Sequence, residues 1–214
     1  LEAIARFQDK SFENYQPEGT QKRIKRFKNF SQDTVGYFGV TYFEEFIGTN
    51  SKNEPITIRD YIGFPIYFKG FLLGYSLRNA KNDTRTKWLH QPSHIQTGEL
   101  LYNYDKVIGE LKVAVVEGIT DVWAYHEIGV PAVATYGAKI SQSQKRLLLQ
   151  LGCDLVFSFD GDEAGSEAMK KAYNLFNKTS NIQFVHLPNG ADPENIPREE
   201  LKKYYEQKSY HYLP

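Results

Sequence analysis

The chain has 214 residues, of which 41% are hydrophobic and 24% are charged, and its formal net charge is zero. This is the composition of an ordinary globular protein with one large or two small domains, and no apolar run approaches the roughly 20 residues that a membrane-spanning helix needs. The single cysteine, Cys153, excludes an internal disulfide framework and a cysteine-rich zinc site. We therefore expect a reducing, intracellular setting without a membrane partner. Because the sequence begins with Leu1 rather than Met, we also expect it to be part of a longer chain.

Positive charge is concentrated toward the front of the chain. Residues 1–109 contain 15 Lys and Arg against 12 Asp and Glu, whereas residues 110–214 contain 11 against 14. A basic half beside an acidic half suits a polyanion held next to a metal-binding carboxylate site, although chance explains an asymmetry of this size equally well. In the basic segment 22–28, Ile24 and Phe27 have the spacing of an amphipathic helix with a solvated basic face; a nucleic-acid contact is the alternative.

Aromatic and β-branched residues before residue 109 predict a strand-rich subdomain. Residues 64–68 and 71–77 are predicted as two strands joined by a tight turn at Lys69 and Gly70, with residues 56–62 as a short element before them. We therefore expect residues 1–109 to form a basic α+β subdomain.

From residue 110 onward, apolar strands alternate with helical segments. Strands are predicted at residues 112–117, 131–135, 155–159 and 182–187, and helices at residues 119–128, 141–151, 163–177 and 197–207. Ser141 and Gln144 form a capping-box signal at the start of the second of these helices. This alternation predicts an α/β domain over residues 110–196, with a mainly parallel sheet flanked by helices, and a C-terminal helical segment over residues 197–214.

Acidic residues follow three of the predicted strands. They are Glu117 with Asp121 one helical turn later, Asp160 with Asp162, and Asp192 with Glu194. Because ligands of open α/β sheets bind at the carboxyl ends of the strands, we expect these side chains to converge at one edge of the sheet. Converging carboxylates repel one another unless a cation lies between them, and their hard oxygen atoms suit Mg²⁺ or Mn²⁺.

Other interpretations compete for Asp160 and Asp162. Both carboxylates could simply cap the helix that follows them, which would leave Glu117 unexplained. A calcium EF-hand loop does not fit, because it needs oxygen ligands where Ala164 and Lys171 stand. A phosphatase of the haloacid dehalogenase type, with Asp160 as nucleophile, fits poorly because that motif usually opens its domain. The sequence contains no P-loop motif.

Taken together, these motifs resemble the Toprim domain, and most closely that of the DnaG-type primases of bacteria and phages. The resemblance rests on residues 115–118, Asp121, Gly137, residues 159–165 and residues 192–194. Upstream, the chain resembles the N-terminal half of the primase RNA-polymerase core at residues 58–66, 70–78 and 87–89 and at Leu101 and Tyr102. The resemblance extends from about residue 56 to residue 196.

The resemblance implies roles for individual residues. Catalytic divalent metals would be bound by Glu117, Asp160 and Asp162, with Asp121, Asp192 and Glu194 as outer acidic residues. Template or nucleotide would be contacted by Arg78, Arg85 and Lys87, with Trp88 as a stacking aromatic. Two positions depart from the family, since Glu194 stands where the family usually has Asp and Thr97 stands where a basic residue is expected.

The implied function is DNA-templated synthesis of short RNA primers for replication, with Mg²⁺ or Mn²⁺ as cofactor, in the cytoplasm of a bacterium or a phage-infected cell. The implied partners are a single-stranded DNA template, ribonucleoside triphosphates, and a replicative helicase contacted through parts absent from this sequence. A Toprim-type, Mg²⁺-dependent nuclease and a non-catalytic binding module are the alternative functions. Primer synthesis, strand cleavage, or DNA binding without dependence on Mg²⁺ would distinguish the three.

Overall fold

The computed structural model of the protein describes residues 13–81 and 88–211. The described chain divides into two compact units, the first ending at Gln96 and the second beginning at Thr97. The sequence predicted a domain boundary later, at residue 109. Within the described residues, no helix has both the length and the apolar character needed to cross a bilayer.

The first unit is built on a five-stranded antiparallel sheet in the order β1-β2-β3-β4-β5. The strands are β1 (Gln21–Arg23), β2 (Thr41–Thr49), β3 (Pro55–Phe68), β4 (Phe71–Asn79) and β5 (Trp88–Gln91). One short helix, α1 (Gln32–Tyr37), precedes β2, and its N-cap Ser31 accepts a hydrogen bond from the backbone N–H of Thr34 at 3.1 Å. The order of the strands in this sheet is the same as their order in the sequence, so each strand pairs with its neighbours along the chain.

The hairpin predicted from the sequence is confirmed. β3 and β4 are joined at Lys69 and Gly70, both of which have positive φ, as the tight turns that suit the twist of two paired strands require. The element predicted at residues 56–62 is the first half of β3 rather than a separate element.

The amphipathic helix predicted over residues 22–28 is wrong. Gln21–Arg23 forms the edge strand β1, which pairs with Thr41–Phe43, and the residues that follow β1 are irregular. Pairing with β2 outweighs the helical spacing of two apolar residues, because a short amphipathic helix is marginally stable without a surface to pack on. The sequence analysis also missed β2 itself, whose apolar pattern is interrupted by Glu44 and Glu45.

The second unit is built on a four-stranded, fully parallel sheet in the order β7-β6-β8-β9. Its strands are β6 (Lys112–Val116), β7 (Ala132–Ala134), β8 (Asp154–Phe157) and β9 (Ile182–Phe184), and its helices are α2 (Ile119–Glu127), α3 (Gln142–Gln150), α4 (Glu163–Phe176) and α5 (Arg198–Glu206). Each predicted strand and helix of this region is present, and the predicted capping box of Ser141 and Gln144 starts α3. The predicted fold class is therefore confirmed.

The residues just before the parallel sheet belong to the second unit for a clear physical reason. Tyr102 exchanges backbone hydrogen bonds with Ala134 of β7, at 2.9 and 3.2 Å. Asn103 donates to the carbonyl of Ala132 at 3.0 Å, and buried Gln144 donates to the carbonyl of Leu100 at 3.0 Å. These bonds attach the segment to the parallel sheet, ahead of the boundary at residue 109 that composition predicted.

Candidate metal and nucleic-acid site

The parallel sheet brings two of the predicted acidic residues together. Glu117 directly follows β6, and Asp160 lies three residues beyond β8, the neighbouring strand. The backbone N–H of Asp160 donates to Oε1 of Glu117 at 3.3 Å. Residues that are far apart in sequence therefore meet at the carboxyl edge of the sheet, as predicted.

The electrostatics of this pair are unfavourable for two negative charges. Burial, with the charge of Asp160 nearby, raises the pKa of Glu117 to about 7. Burial, with Asp192 and Asp162 nearby, raises the pKa of Asp160 to about 6. Oδ1 of Asp160 is buried and has no hydrogen-bond partner. A buried carboxylate oxygen without a partner, beside a second carboxyl, is suited to a bound cation.

Two glycines allow the chain to turn tightly around Asp160. A Cβ atom on Gly161 would lie 2.0 Å from the carbonyl oxygen of Pro188, and one on Gly165 would lie 1.9 Å from the carbonyl oxygen of Asp160. Gly161 also donates to the carbonyl of Ala191 at 2.8 Å. At both glycines the backbone therefore packs directly against other backbone atoms, which leaves no room for a side chain.

Asp162 has a different setting from Asp160. It is exposed and is the N-cap of α4, and its Oδ1 accepts a hydrogen bond from the N–H of Gly165 at 2.7 Å. The capping interpretation is therefore correct for Asp162, whereas Asp160 lies before the cap and makes no such bond among the described contacts. Asp162 nevertheless lies close enough to Asp160 for its charge to raise the pKa of that residue.

Asp121, predicted as an outer metal-binding residue, is buried and already bonded. Its two carboxylate oxygens accept hydrogen bonds from the backbone N–H groups of Gly118, at 2.9 Å, and Glu194, at 3.1 Å. Burial and nearby Asp160 raise its pKa to about 8. Oε2 of Glu194 accepts a hydrogen bond from Thr120 at 2.7 Å. Asp121 thus ties the start of α2 to the loop that carries the third acidic motif, which is a structural role that the spacing of the sequence did not reveal.

Arg198, at the start of α5, was also missed by the sequence analysis. Its Nε donates to Glu127 at 2.7 Å, and its Nη1 lies 3.0–3.4 Å from the carbonyl oxygens of Pro193, Glu194 and Ile196. Both partners of the ion pair are largely buried. One guanidinium therefore fixes the acidic loop, and nothing in the order of the residues indicates that an arginine after the motif folds back onto it.

The described residues hold no group of three or more His, Cys, Asp or Glu arranged to enclose a metal ion. Asp192, predicted as a metal-binding residue, bonds instead to the backbone and side-chain nitrogens of Asn195, at 2.8 and 2.7 Å. Glu117 and Asp160 fit a divalent cation best, because they are adjacent carboxyls with raised pKa values and one buried oxygen without a partner.

Two of the four residues predicted to bind nucleic acid are described, and both lie in the first unit. Arg78 on β4 is directly opposite Trp88 on β5, and its guanidinium carbon lies 5.7 Å from the centroid of the Trp88 ring. Both side chains are partly exposed. Arg85 and Lys87 lie outside the described residues.

Comparison with known proteins first defines the class of the second unit. A family model described as Toprim-like matches residues 114–196, which contain the parallel sheet and the acidic edge. A DNA primase from Legionella pneumophila is 30% identical over 204 residues, which cover 88% of this chain and 34% of that protein. The chain spans about a third of the length of the curated DNA primases that it matches.

Solved structures agree in fold across both units. The Aquifex aeolicus primase, comprising its zinc-binding and RNA polymerase domains, superposes with a TM-score of 0.68 at 21% identity, covering 84% of this chain and 53% of that one. The RNA polymerase domain of Mycobacterium tuberculosis primase, solved with double-stranded DNA, has a TM-score of 0.67 at 20% identity, covering 85% and 71%. The chain is thus similar to DnaG-type DNA primases over their RNA-polymerase core and Toprim domain, and the resemblance predicted from the sequence is confirmed.

Proposed function

We propose that this chain is the catalytic part of a DNA primase, which synthesises short RNA primers on a single-stranded DNA template from ribonucleoside triphosphates. The observation that carries the proposal is the pairing of Glu117 with Asp160, whose buried Oδ1 has no partner, at the carboxyl edge of a Toprim-like sheet. The curated relatives that support it are DNA primases. A replicative helicase, contacted through other parts of the protein, is the further partner that we propose.

In this proposal Glu117 and Asp160 would hold Mg²⁺ or Mn²⁺, and the nearby charge of Asp162 would add to the negative potential at the ion. When bound, the ion would lower the pKa of the primer 3′-hydroxyl and stabilise the departing pyrophosphate. The protein's own contribution is to position the two residues, since the N–H of Asp160 bonds to Glu117 and Asp121 accepts a hydrogen bond from Gly118, the residue after Glu117. Glu117 and Asp160 would have to be deprotonated to hold the ion, because only their charged forms are good ligands.

Arg78 and Trp88, with Arg85 and Lys87, are proposed to contact the template or the nucleotide. The support is the cation–aromatic contact of Arg78 with Trp88, in which a flat cation and a ring are both partly exposed. Arginine neutralises phosphate, and aromatic rings stack on unpaired bases. The DNA in the Mycobacterium tuberculosis primase structure is consistent with a DNA-binding surface in this fold.

The proposal is tested with the variant Asp160→Ala and the matched control Glu199→Ala, which changes an exposed acid on α5. Incorporation of labelled ribonucleotides on a single-stranded template should fall by at least about a hundredfold in Asp160→Ala and stay unchanged in the control. Binding of Mn²⁺, measured by calorimetry, should weaken in the same variant. Unchanged synthesis and unchanged Mn²⁺ binding in folded Asp160→Ala would refute the assignment.

The nuclease alternative uses the same carboxyls, so the products decide between the two functions. Release of fragments from a labelled DNA or RNA strand, without incorporation of ribonucleotides, would establish the nuclease instead. Similarity to DNA primases favours primer synthesis.

A further inference from the structure

Five side chains form a transverse row across the sheet of the first unit. The row runs from β1 to β5 and consists of Lys22, Tyr42, Ile62, Arg78 and Trp88. Each member is the direct cross-strand partner of the next, and directly opposed residues project from the same face of a sheet. We refer to these five residues as the cationic–aromatic row.

Cations and aromatic rings are paired at both ends of the row. The ammonium of Lys22 lies 5.3 Å from the centroid of the Tyr42 ring, and the guanidinium of Arg78 lies 5.7 Å from that of Trp88. Lys22 is exposed and the other row members are partly exposed. The row is therefore a solvent-accessible band that offers both positive charge and flat aromatic surface.

The position of Tyr42 is fixed by contacts at the border of the row. Its hydroxyl donates to Oδ1 of Asp60, whose Oδ2 accepts a hydrogen bond from Lys81 at 2.6 Å. Asp60 has a left-handed backbone conformation with φ of 60°, so the chain accepts local strain at this point. Glu44, two residues from Tyr42 on β2, adds negative charge on this side. The exposed carboxylate of Glu44 makes this side of the row less favourable for a polyanion than the row itself.

We propose that the cationic–aromatic row binds a single-stranded nucleic acid, with bases stacked on the Tyr42 and Trp88 ends and phosphates beside Lys22 and Arg78. This inference rests on the proposed primase function and names a surface for the template. Neighbouring strands are about 4.8 Å apart, so the two aromatic positions are about 14 Å apart along the row. A duplex keeps its bases stacked inside, so only an unpaired strand can use the rings as well as the charges.

The sequence contains a closely matched control for the charge. Lys22 and Arg23 are adjacent, exposed, basic residues of β1, and successive strand residues point to opposite faces. With the full chain and a fluorescent oligothymidylate, Lys22→Gln should reduce the salt dependence of the association constant by about 0.7 in the log–log slope, the value of one phosphate contact on a single strand. Arg23→Gln should leave the slope unchanged. An equal effect of both substitutions would overturn the proposal.

Tyr42 provides the test of stacking. Tyr42→Leu should weaken oligothymidylate binding by at least about fivefold, whereas Tyr42→Phe, which keeps the ring and loses the bond to Asp60, should bind as the wild type does. Binding should also quench the emission of Trp88, because the second tryptophan, Trp123, is fully buried. Equal binding by Tyr42→Leu, or unchanged Trp88 emission at saturation, would overturn the row as the binding surface.

These outcomes are separate from failure of the proposed function. If the wild type synthesises primers and the Lys22 and Tyr42 variants bind and synthesise equally well, the row is refuted and the primase proposal stands. If oligothymidylate binds through the row but no condition yields primers or Mn²⁺ binding, the primase proposal fails and the row stands. Displacement by duplex DNA as effective as displacement by oligothymidylate would refute recognition of an unpaired strand.

Discussion

Asp160→Asn should make the protein more stable at high pH while it weakens binding of a divalent ion. The carboxyl of Asp160 is half-buried, and burial with nearby Asp192 and Asp162 raises its pKa to about 6 from 3.8. A raised pKa means that the folded protein holds the proton more tightly than the unfolded chain does. The contribution of this carboxyl to the free energy of unfolding is therefore fully present below about pH 4 and is lost as the pH rises through about 6.

The size of this loss follows from the pKa difference of about two. A fully shielded carboxyl would lose about 3 kcal/mol, and solvent screening of a half-buried group reduces this to about 1 kcal/mol. Asp160→Asn removes the charge and should restore that amount at pH 8, with little change at pH 4. The amide also relieves the repulsion that contributes to the raised pKa of Glu117.

Urea unfolding in the presence of EDTA, at pH 4 and pH 8, measures the effect. Glu110→Gln, which changes an exposed acid outside the helices and strands, is the control and should have no effect at either pH. In a parallel titration at pH 8, Mn²⁺ should bind at least about tenfold more weakly to Asp160→Asn, since a ligand to the ion is lost. Destabilisation of Asp160→Asn by equal amounts at both pH values would refute the repulsion between carboxyls on which this reasoning rests.

Two further predictions concern stability and are checked by urea unfolding. Gly165→Ala should destabilise the protein by about 3 kcal/mol, because its Cβ would overlap a backbone carbonyl. Gly36→Ala in α1, where a Cβ would have no atom within 4 Å, should stabilise the protein by about 0.5 kcal/mol. Similar effects of the two substitutions would contradict the close contact at Gly165. Arg198→Met should lower the free energy of unfolding by about 3 kcal/mol, because it removes the ion-pair partner of largely buried Glu127. Arg59→Met, which removes an exposed ion pair, should lower it by less than about 0.5 kcal/mol. Equal costs for the two substitutions would contradict the stabilising role of the largely buried ion pair between Arg198 and Glu127.

Local patterns were sufficient for much of the second unit. The capping box of Ser141 and Gln144 and the alternation of apolar strands with helices are short-range signals, and the structure confirms them. In the first unit the same reasoning found the hairpin at Lys69 and Gly70, because a two-residue turn is also local. It was wrong for residues 22–28, where β1 exists only because the edge of β2 pairs with it.

The sequence by itself determined that acidic residues follow the strands of a parallel sheet, and hence that they gather at one edge. Only the tertiary structure decided how each carboxylate is used. Asp162 caps a helix and Asp121 binds two backbone amides, whereas Asp160 keeps a buried oxygen without a partner beside Glu117. The physical reason is that strand order and loop packing select the partners of each oxygen, and those partners lie up to 73 residues apart in the chain.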